Sequence, residues 1–461
     1  MTVPDPPRDP DAPALVARGA DAVSFLALER AMHHWRDAPP PAGTGALVAY
    51  ADTGSAWVAA GGPITADPDQ RAPAAARFVA AAAAAGRRAC FFATESPGAL
   101  GGCNQLLLGE QPVFEPRAWP ATLARHRRLR EQLRRARAKE VRVRRVGPAE
   151  LIDGSPLRAE VDRLAGEWLG SRRMEPMGFL VALEPFHAPE QHLYLAAERG
   201  GALVAFLSAV PIHARRGWLV EDVLRGRDAP NGTAELLLDA VFTHARDAEL
   251  ITLGLAPLSG PIAPWQRLAR WLTRPLYDFR GVRAFKARLH PVRWEPVWLA
   301  YPRGSSVLRH LIDSLRAFAS GSLVRFAART AARHPGVPPW LLAVPLVPWT
   351  ALLATIAATG NVHLLAYSRP ALAGWATFDA FLAAVLFRIA FRPRARWLAT
   401  VAGAAGVDAV LSVAHRIDVG FGHGPLQIIL RAMATAAPLV GTAALTWAAL
   451  RASFLERSQP P

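Results

Sequence analysis

Lysine is almost absent from this chain of 461 residues: of 53 Lys+Arg, only Lys139 and Lys286 are lysines. A GC-rich genome accounts for the bias in general, and it makes the survival of Lys286 conspicuous. Cysteine is as scarce. Cys90 and Cys103 form no metal-ligand or redox spacing, which excludes a disulfide-stapled scaffold and points to a reducing compartment. Charge is nearly missing from one long stretch: Pro338 to Leu450 holds ten charged side chains in 113 residues. That excludes a wholly soluble protein, and a 51% hydrophobic content excludes a disordered one. The first residues, MTVPDPPRDPDAP, have neither the basic nor the apolar region of a signal peptide and read as a floppy leader.

Elsewhere charge is abundant and local. The formal charge is +16. Arg117 to Arg145 carries twelve Arg/Lys against two Glu, a net of +10, and Arg303 to Arg333 carries six Arg against one Asp. Fields so concentrated suit a polyanion or an anionic membrane surface, whereas charge serving only solubility is dispersed.

Periodicity predicts a Pro/Asp-rich leader over 1–14 and a first α/β domain over 15–115. Within that domain a helix is expected at Ala20–Trp35 and another at Ala74–Ala85, with Pro73 at its start. Residues 116–146 read as one Arg-rich helix, Trp119–Lys139, and a connecting strand. A second, catalytic α/β domain fills 147–303: a helix, paired strands about Gly200-Gly201, the strand Trp218–Leu224, a Gly turn, a helix from Thr233 and the strand Ile251–Leu255. This order is the core of an acyltransferase fold of the GNAT kind. Residues 304–336 form a basic amphipathic region, with Leu308, Leu311, Leu315 and Phe318 on one helical face expected at the membrane surface, or else packed on the catalytic domain.

Four apolar segments follow over 337–455, namely Trp340–Thr359, Trp375–Ala390, Trp397–Ala414 and Ile428–Leu450, with a tail at 456–461. The middle two are short and carry Asp379 and Asp408, expected to pair with Arg388 or Arg416 inside the bundle. Arginines crowd the flank before the first segment, the loop between the second and third, and the C-terminal flank, which places both termini in the cytoplasm.

The chemistry concentrates between Trp218 and Gly260. Asp222 and Arg225 lie three apart at a strand end. The carboxylate can orient or deprotonate an attacking group, and the guanidinium can hold a phosphate or a developing oxyanion. A structural ion pair is the alternative. Asn231, Gly232 and Thr233 open a helix where free N–H groups suit an anionic ligand, and Arg227 precedes them. Arg227 lies two positions too far for a GNAT pyrophosphate signature, which argues against an ordinary acetyl-CoA enzyme. Trp294 offers an aromatic substrate contact or core packing; for His290 a structural role is favoured.

The segments GEQPVFEP with the Arg-rich helix after it, EDVLRGRDAPNGTAELL, ITLGLAPLSG and YDFRGVRAFKARLHPVRWEPVWLAYP resemble the C-terminal catalytic domain of phosphatidylglycerol lysyltransferases, the DUF2156 group. The resemblance covers roughly residues 15–302 and is strongest over roughly 218–302. It implies tandem GNAT-like (acyl-CoA N-acyltransferase type) domains, here followed by a four-helix transmembrane block, whereas the family's well-known members carry a multi-span domain before the catalytic part. It also implies transfer of a lysyl or similar group from aminoacyl-tRNA to an anionic phospholipid such as phosphatidylglycerol, at the cytoplasmic face of a bacterial inner membrane, with no metal or cofactor. Asp222 and Arg225 fall on the family's Asp-x-x-Arg pair and Lys286 on the Lys of its Phe-Lys segment. The Arg-rich helix, with Arg127, Arg130, Arg134, Arg135, Arg137 and Lys139, would then meet tRNA phosphates or anionic lipid. Two other readings stay open: an acyl-CoA-dependent N-acyltransferase acting on a small amine or peptide, and a non-catalytic, membrane-tethered RNA- or lipid-binding protein.

Overall fold

The computed structural model describes residues 12–37, 45–274 and 276–457. In chain order they form α1 (Ala12–Val16), β1 (His33–Arg36), β2 (Leu47–Asp52), β3 (Ala56–Ala60), α2 (Arg71–Ala84), β4 (Arg88–Thr94), β5 (Cys103–Phe114), α3 (Trp119–Arg125) and α4 (Arg127–Ala138). Next come β6 (Arg142–Val146), α5 (Pro156–Gly170), β7 (Leu193–Arg199), β8 (Ala202–Ile212), β9 (Gly217–Arg225), α6 (Thr233–His244), β10 (Leu250–Thr252), β11 (Ala256–Pro257), α7 (Pro264–Leu272), α8 (Phe279–Ala287) and β12 (Arg293–Pro302). The chain closes with α9 (Val307–Phe318), α10 (Leu323–Arg333), α11 (Val337–Thr359), α12 (Arg369–Phe391), α13 (Ala395–Val419) and α14 (Pro425–Arg457). Two compact units result: one runs to Arg172 and adds Pro176–Arg270 and Asp278–Phe326; the other holds Arg173–Glu175, Trp271–Tyr277 and the chain from Ala327.

The first unit is built on a single mixed sheet of twelve strands, in the order β1-β2-β3-β4-β12-β5-β10-β9-β8-β7-β6 with β11 beside β5. The two α/β domains expected from the sequence therefore share one sheet. The join is β12, which arrives late in the chain and pairs antiparallel with both β4 and β5. At the join, Gly109 of β5 has no room for a side chain, because an added Cβ would lie 2.3 Å from the Ala256 carbonyl oxygen of β11.

Local signals explain many elements. β7 and β8 close through Gly200 and Gly201, both at positive φ, as a two-residue hairpin turn demands. Helix α2 buries Ala74, Ala75, Phe78 and Ala82, one helical stripe. Three expectations fail for tertiary reasons. The helix expected at Ala20–Trp35 is a short 3-10 turn at Ala22–Leu28 followed by strand β1. Asp21, the natural N-cap, instead spends its carboxylate on the Gly62 and Glu95 N–H groups and on Arg71. The single helix Trp119–Lys139 breaks at His126, whose ring stacks on His290 with centroids 3.4 Å apart. Part of the expected leader is also ordered: residues 1–11 lie outside the described set, but Ala12 and Leu15 are buried in the core.

Helix α9 packs on the first unit, burying His310, Asp313 and Ser314, with Leu311 and Phe318 also against the core, and leaves Leu308 and Leu315 62% and 56% exposed. Asp313 is fully buried and receives two hydrogen bonds from Arg88, at 2.6 and 2.7 Å, and one from Ser55. Fork-on-carboxylate geometry of this kind outweighs the apolar face locally, because a buried carboxylate without partners costs several kcal/mol.

In the second unit, α11, α12, α13 and α14 are long and apolar enough to cross a membrane. The middle two are longer than expected, at 23 and 25 residues, because helical hydrogen bonding continues past the apolar stretch. Ser368 caps α12 through the Ala371 N–H, with Pro370 at its first turn. Large apolar side chains such as Phe381, Val410 and Leu450 face outward, as lipid contact requires. The expected intramembrane ion pairs do not form among the described residues: Asp408 accepts from Ser412 at 3.0 Å, and Arg416 donates to the Gly420 carbonyl.

Replacing Asp313 with Ala leaves Arg88 without its acceptor and α9 without its anchor. We expect a loss of about 2–4 kcal/mol in the first unit, read as a lower apparent Tm of the detergent-solubilised chain. An unchanged Tm would show that the Arg88–Asp313 contact contributes nothing.

Candidate functional site

The site begins with one extra residue. Along β8 and β9, Ser208 pairs with Asp222 and the next residue, Ala209, pairs with Val220, so Glu221 is inserted without a partner. Such a bulge bends the strand and brings neighbouring side chains toward one side instead of alternating them. Both carboxylates accordingly approach the wholly buried Ser208 hydroxyl, Asp222 at 3.4 Å and Glu221 at 3.5 Å. Burial, then the negative charge of Glu221, raises the Asp222 pKa well above the usual carboxylate range, against a smaller opposing effect from the Ser208 hydroxyl. A carboxyl so placed is a candidate for proton exchange with a bound group. Strict alternation along β9 sets Glu221 and Asp222 on opposite faces, so sequence patterning misses Glu221.

Arg225 closes the same strand. It forms no ion pair with Asp222; its guanidinium donates to the Ala229 carbonyl at 2.6 Å and to Asn231 Oδ1 at 3.3 Å. The alternative of a structural Asp222–Arg225 pair is thereby removed, and Asn231 acts on the loop through Arg225. Gly232 has φ +95°, and a Cβ there would lie 2.3 Å from the backbone oxygen of Gln132 in α4. Thr233 is fully buried, with its hydroxyl donated to the Pro230 carbonyl at 2.7 Å. The loop thus serves the close docking of α6 on α4, and Thr233 has no hydroxyl hydrogen left for a ligand, which corrects its expected binding role. Arg227 is exposed beside it.

Lys286, in α8, is 8% exposed and points at backbone. Its ammonium donates to the carbonyl oxygens of Leu253, Gly254 and Leu255 at 2.7, 2.8 and 2.8 Å, which uses all three N–H groups. Burial pulls its pKa down to about 7, and the three carbonyls oppose that pull by favouring the charged form. These carbonyls follow β10 directly. β10 runs parallel to β9 for only three residue pairs, ending at Leu219 and Thr252, after which β9 continues alone to Arg225. Lys286 therefore pins the backbone that follows β10. It is a positioning residue; Asp222, Arg225 and Lys286 share no hydrogen bond.

The other expected contacts are dispersed. Trp294 on β12 lies under the Arg283 guanidinium at 3.9 Å, and Arg283 also meets Glu110 at 3.3 Å. On α4, Leu129, Leu133 and Ala136 form the buried stripe, so its cations face outward. Arg130 donates to the Leu123 and Ala124 carbonyls, Arg134 pairs with Glu131, and Arg137 pairs with Asp239. Arg127, Arg128, Arg135 and Lys139 are exposed and form no ion pair among the described residues.

Two histidines that the sequence reading passed over complete the surroundings of the bulge. His187 and His192, in the segment before β7, place ring nitrogens within 4.8 Å of each other and of a Glu221 oxygen. The only trace in the sequence is a pair of histidines five residues apart, His187-Ala-Pro-Glu-Gln-His192. Glu29, from the turn after the Ala22–Leu28 helix, is buried close by. Burial and the charges of Glu221, Glu184 and Asp222 raise its pKa well above the ordinary value.

Known proteins fit this geometry. A solved DUF2156 domain of a putative lysylphosphatidylglycerol synthetase from Agrobacterium fabrum is 25% identical, covers 68% of this chain and 97% of its own, and superposes with a TM-score of 0.56. The structure of L-PGS from Bacillus licheniformis shares the fold at 19% identity and a TM-score of 0.58, covering 69% of this chain and 99% of its own. The phosphatidylglycerol lysyltransferase of Bacillus subtilis is 29% identical over 161 residues, 32% of this chain, and that match spans only 18% of the relative's length. The family model described as "Phosphatidylglycerol lysyltransferase, C-terminal" matches residues 13–301, the stretch that holds the shared sheet, the bulge and Lys286, and the chain belongs to that family.

Proposed function

We propose that this chain is a membrane-bound aminoacyltransferase that moves a lysyl or similar aminoacyl group from aminoacyl-tRNA to an anionic phospholipid such as phosphatidylglycerol. The observation that carries the proposal is Asp222, desolvated at the β9 bulge, with Arg225 at the end of the same strand, in a chain whose family match spans the whole shared sheet. An aminoacyl ester is already activated, so the reaction needs positioning, a base and a donor for the oxyanion. The lipid hydroxyl attacks the ester carbonyl while Asp222 accepts the hydroxyl proton. Arg225 at the strand end faces the negative charge that develops on the carbonyl oxygen or the lipid phosphate. The tetrahedral intermediate then releases the tRNA ribose hydroxyl, which recovers the proton. Lys286 supports the reaction at a distance by holding the backbone that follows β10.

The exposed arginines of α4 suit phosphate contact with tRNA, and the four apolar helices suit residence in the membrane that holds the acceptor. Orientation follows from loop charge. Arg325, Arg329 and Arg333 precede α11, and Arg392, Arg394 and Arg396 lie at the turn from α12 to α13. Arg451 and Arg457 end α14, which directs these ends to the cytoplasm of a bacterial cell.

Cells expressing the chain should gain a ninhydrin-positive phospholipid, and Asp222→Ala should lower kcat at least about 100-fold with the fold intact. Good expression of folded protein without that lipid, and in vitro transfer indifferent to RNase, would overturn the reading. Removing two exposed cations of α4, Arg127→Ala with Arg135→Ala, should raise the KM for tRNA and flatten the dependence of log Kd on log salt by about 1–2; an unaltered slope counts against tRNA contact there. Lys286→Ala strands three backbone carbonyls and should cost about 2–4 kcal/mol, seen as a lower apparent Tm. Lys286→Arg should not restore it, since a planar guanidinium cannot serve the three carbonyls in the same way; full recovery by Arg would remove the pinning role.

A further inference from the structure

We propose that His187, His192 and Glu221 form a binding site for a divalent transition-metal cation of the zinc class, built on the same bulge that carries Asp222. Three observations converge. The Nδ1 atom of His187 lies 2.6 Å from the Glu184 carbonyl oxygen, and Nδ1 of His192 lies 3.1 Å from that of Ala188. A carbonyl only accepts, so each Nδ1 carries a hydrogen, and in the neutral ring each Nε2 presents a lone pair. Both Nε2 atoms are buried without a hydrogen-bond partner, and so is Glu221 Oε1. The histidines are 8% and 6% exposed.

With both rings neutral and the carboxylate ionised, three acceptors meet in a buried place and cannot satisfy one another. The His192 Nε2 and Glu221 Oε2 atoms stand 3.6 Å apart. Each orphaned acceptor costs about 1–3 kcal/mol, and one cation would serve all three. Two neutral imidazoles and a carboxylate are the donor set of three-ligand zinc sites that keep a fourth position open. Bonds of about 2.1 Å in a tetrahedron set donor separations near 3.4 Å. The 3.6 Å spacing already matches, and the remaining spacings, all within 4.8 Å, require inward movement of at most about 1.4 Å.

The rings are fixed from the other side. Phe25 packs on both, with centroids 5.7 Å from His187 and 5.5 Å from His192, and His192 stacks on Tyr194 at 5.0 Å. The backbone hydrogen bonds at Nδ1 are the outer support that metal-bound histidines typically have. The surrounding carboxyl groups, Glu29, Glu184 and Asp222, add acidity to the enclosure, and Glu29 Oε2 is a further buried oxygen without a partner. Glu184 Oε2 accepts a hydrogen bond from the Arg30 backbone N–H at 3.1 Å. The site stands whether or not the transfer reaction proposed above is the chain's activity.

The test uses the full chain in detergent, stripped with a chelator and then titrated with Zn²⁺ by calorimetry and with Co²⁺ by absorption. One high-affinity equivalent is expected, with the intense visible bands of four- or five-coordinate Co²⁺ and a raised Tm. His187→Gln and Glu221→Gln, each keeping side-chain volume close to the original, should weaken that equivalent by at least about 10–100-fold and abolish the Co²⁺ bands while circular dichroism stays unchanged. If either variant does not fold, the Co²⁺ spectrum of the unaltered chain decides: octahedral pale absorption, or no binding, overturns the site. Retention of the bands in both folded variants also overturns it. So does a Tm rise produced by L-lysine methyl ester and lost in His187→Gln without any Zn²⁺ effect, which would assign the place to an ammonium group.

Discussion

The pairing of β12 with both β4 and β5 is the constraint from which the rest of the first unit follows. A strand from the far end of the catalytic segment fills the seam between two half-sheets, so neither half is complete alone. The helix before it, α8, is thereby held over the seam, and Lys286 on α8 reaches the carbonyls after β10. A sheet edge that would otherwise expose unpaired backbone groups is closed by the same pairing.

Within that frame a single inserted residue sets the chemistry. The Glu221 bulge places two carboxylates about one hydroxyl and raises the Asp222 pKa, mainly by desolvation and then by like charge. Perturbation of this kind recurs at reactive centres. The same insertion turns Glu221 toward His187 and His192, so one backbone irregularity serves both the carboxyl at the β9 end and the cluster of unpartnered donors. Arg225 keeps its distance from Asp222 because the end of β9 and the following loop give it nearer acceptors.

The polar inward face of α9 shows how a strong local interaction fixes the rotation of a helix. Asp313 and Arg88 decide which side packs, and Leu308 and Leu315 stay on the outside of the first unit.

Local rules made several features legible from the amino-acid order alone. The four apolar helices, the Gly200-Gly201 hairpin and the family resemblance all rest on period, turn chemistry or motif, which need only neighbouring residues. The Asp222–Arg225 spacing was visible too, but its geometry was not. Whether a strand carries a bulge depends on the register of its partner, and the three carbonyls under Lys286 lie more than thirty residues away in sequence. Thr233 looked available because a helix N-terminus attracts anions, and only the approach of α4 showed its hydroxyl turned inward. The sharing of one sheet by two expected domains, the break at His126 and the meeting of His187 with Glu221 belong to the same class. Each is a contact between segments far apart in the chain, and hydrophobic period carries no information about which distant backbone will supply the partner.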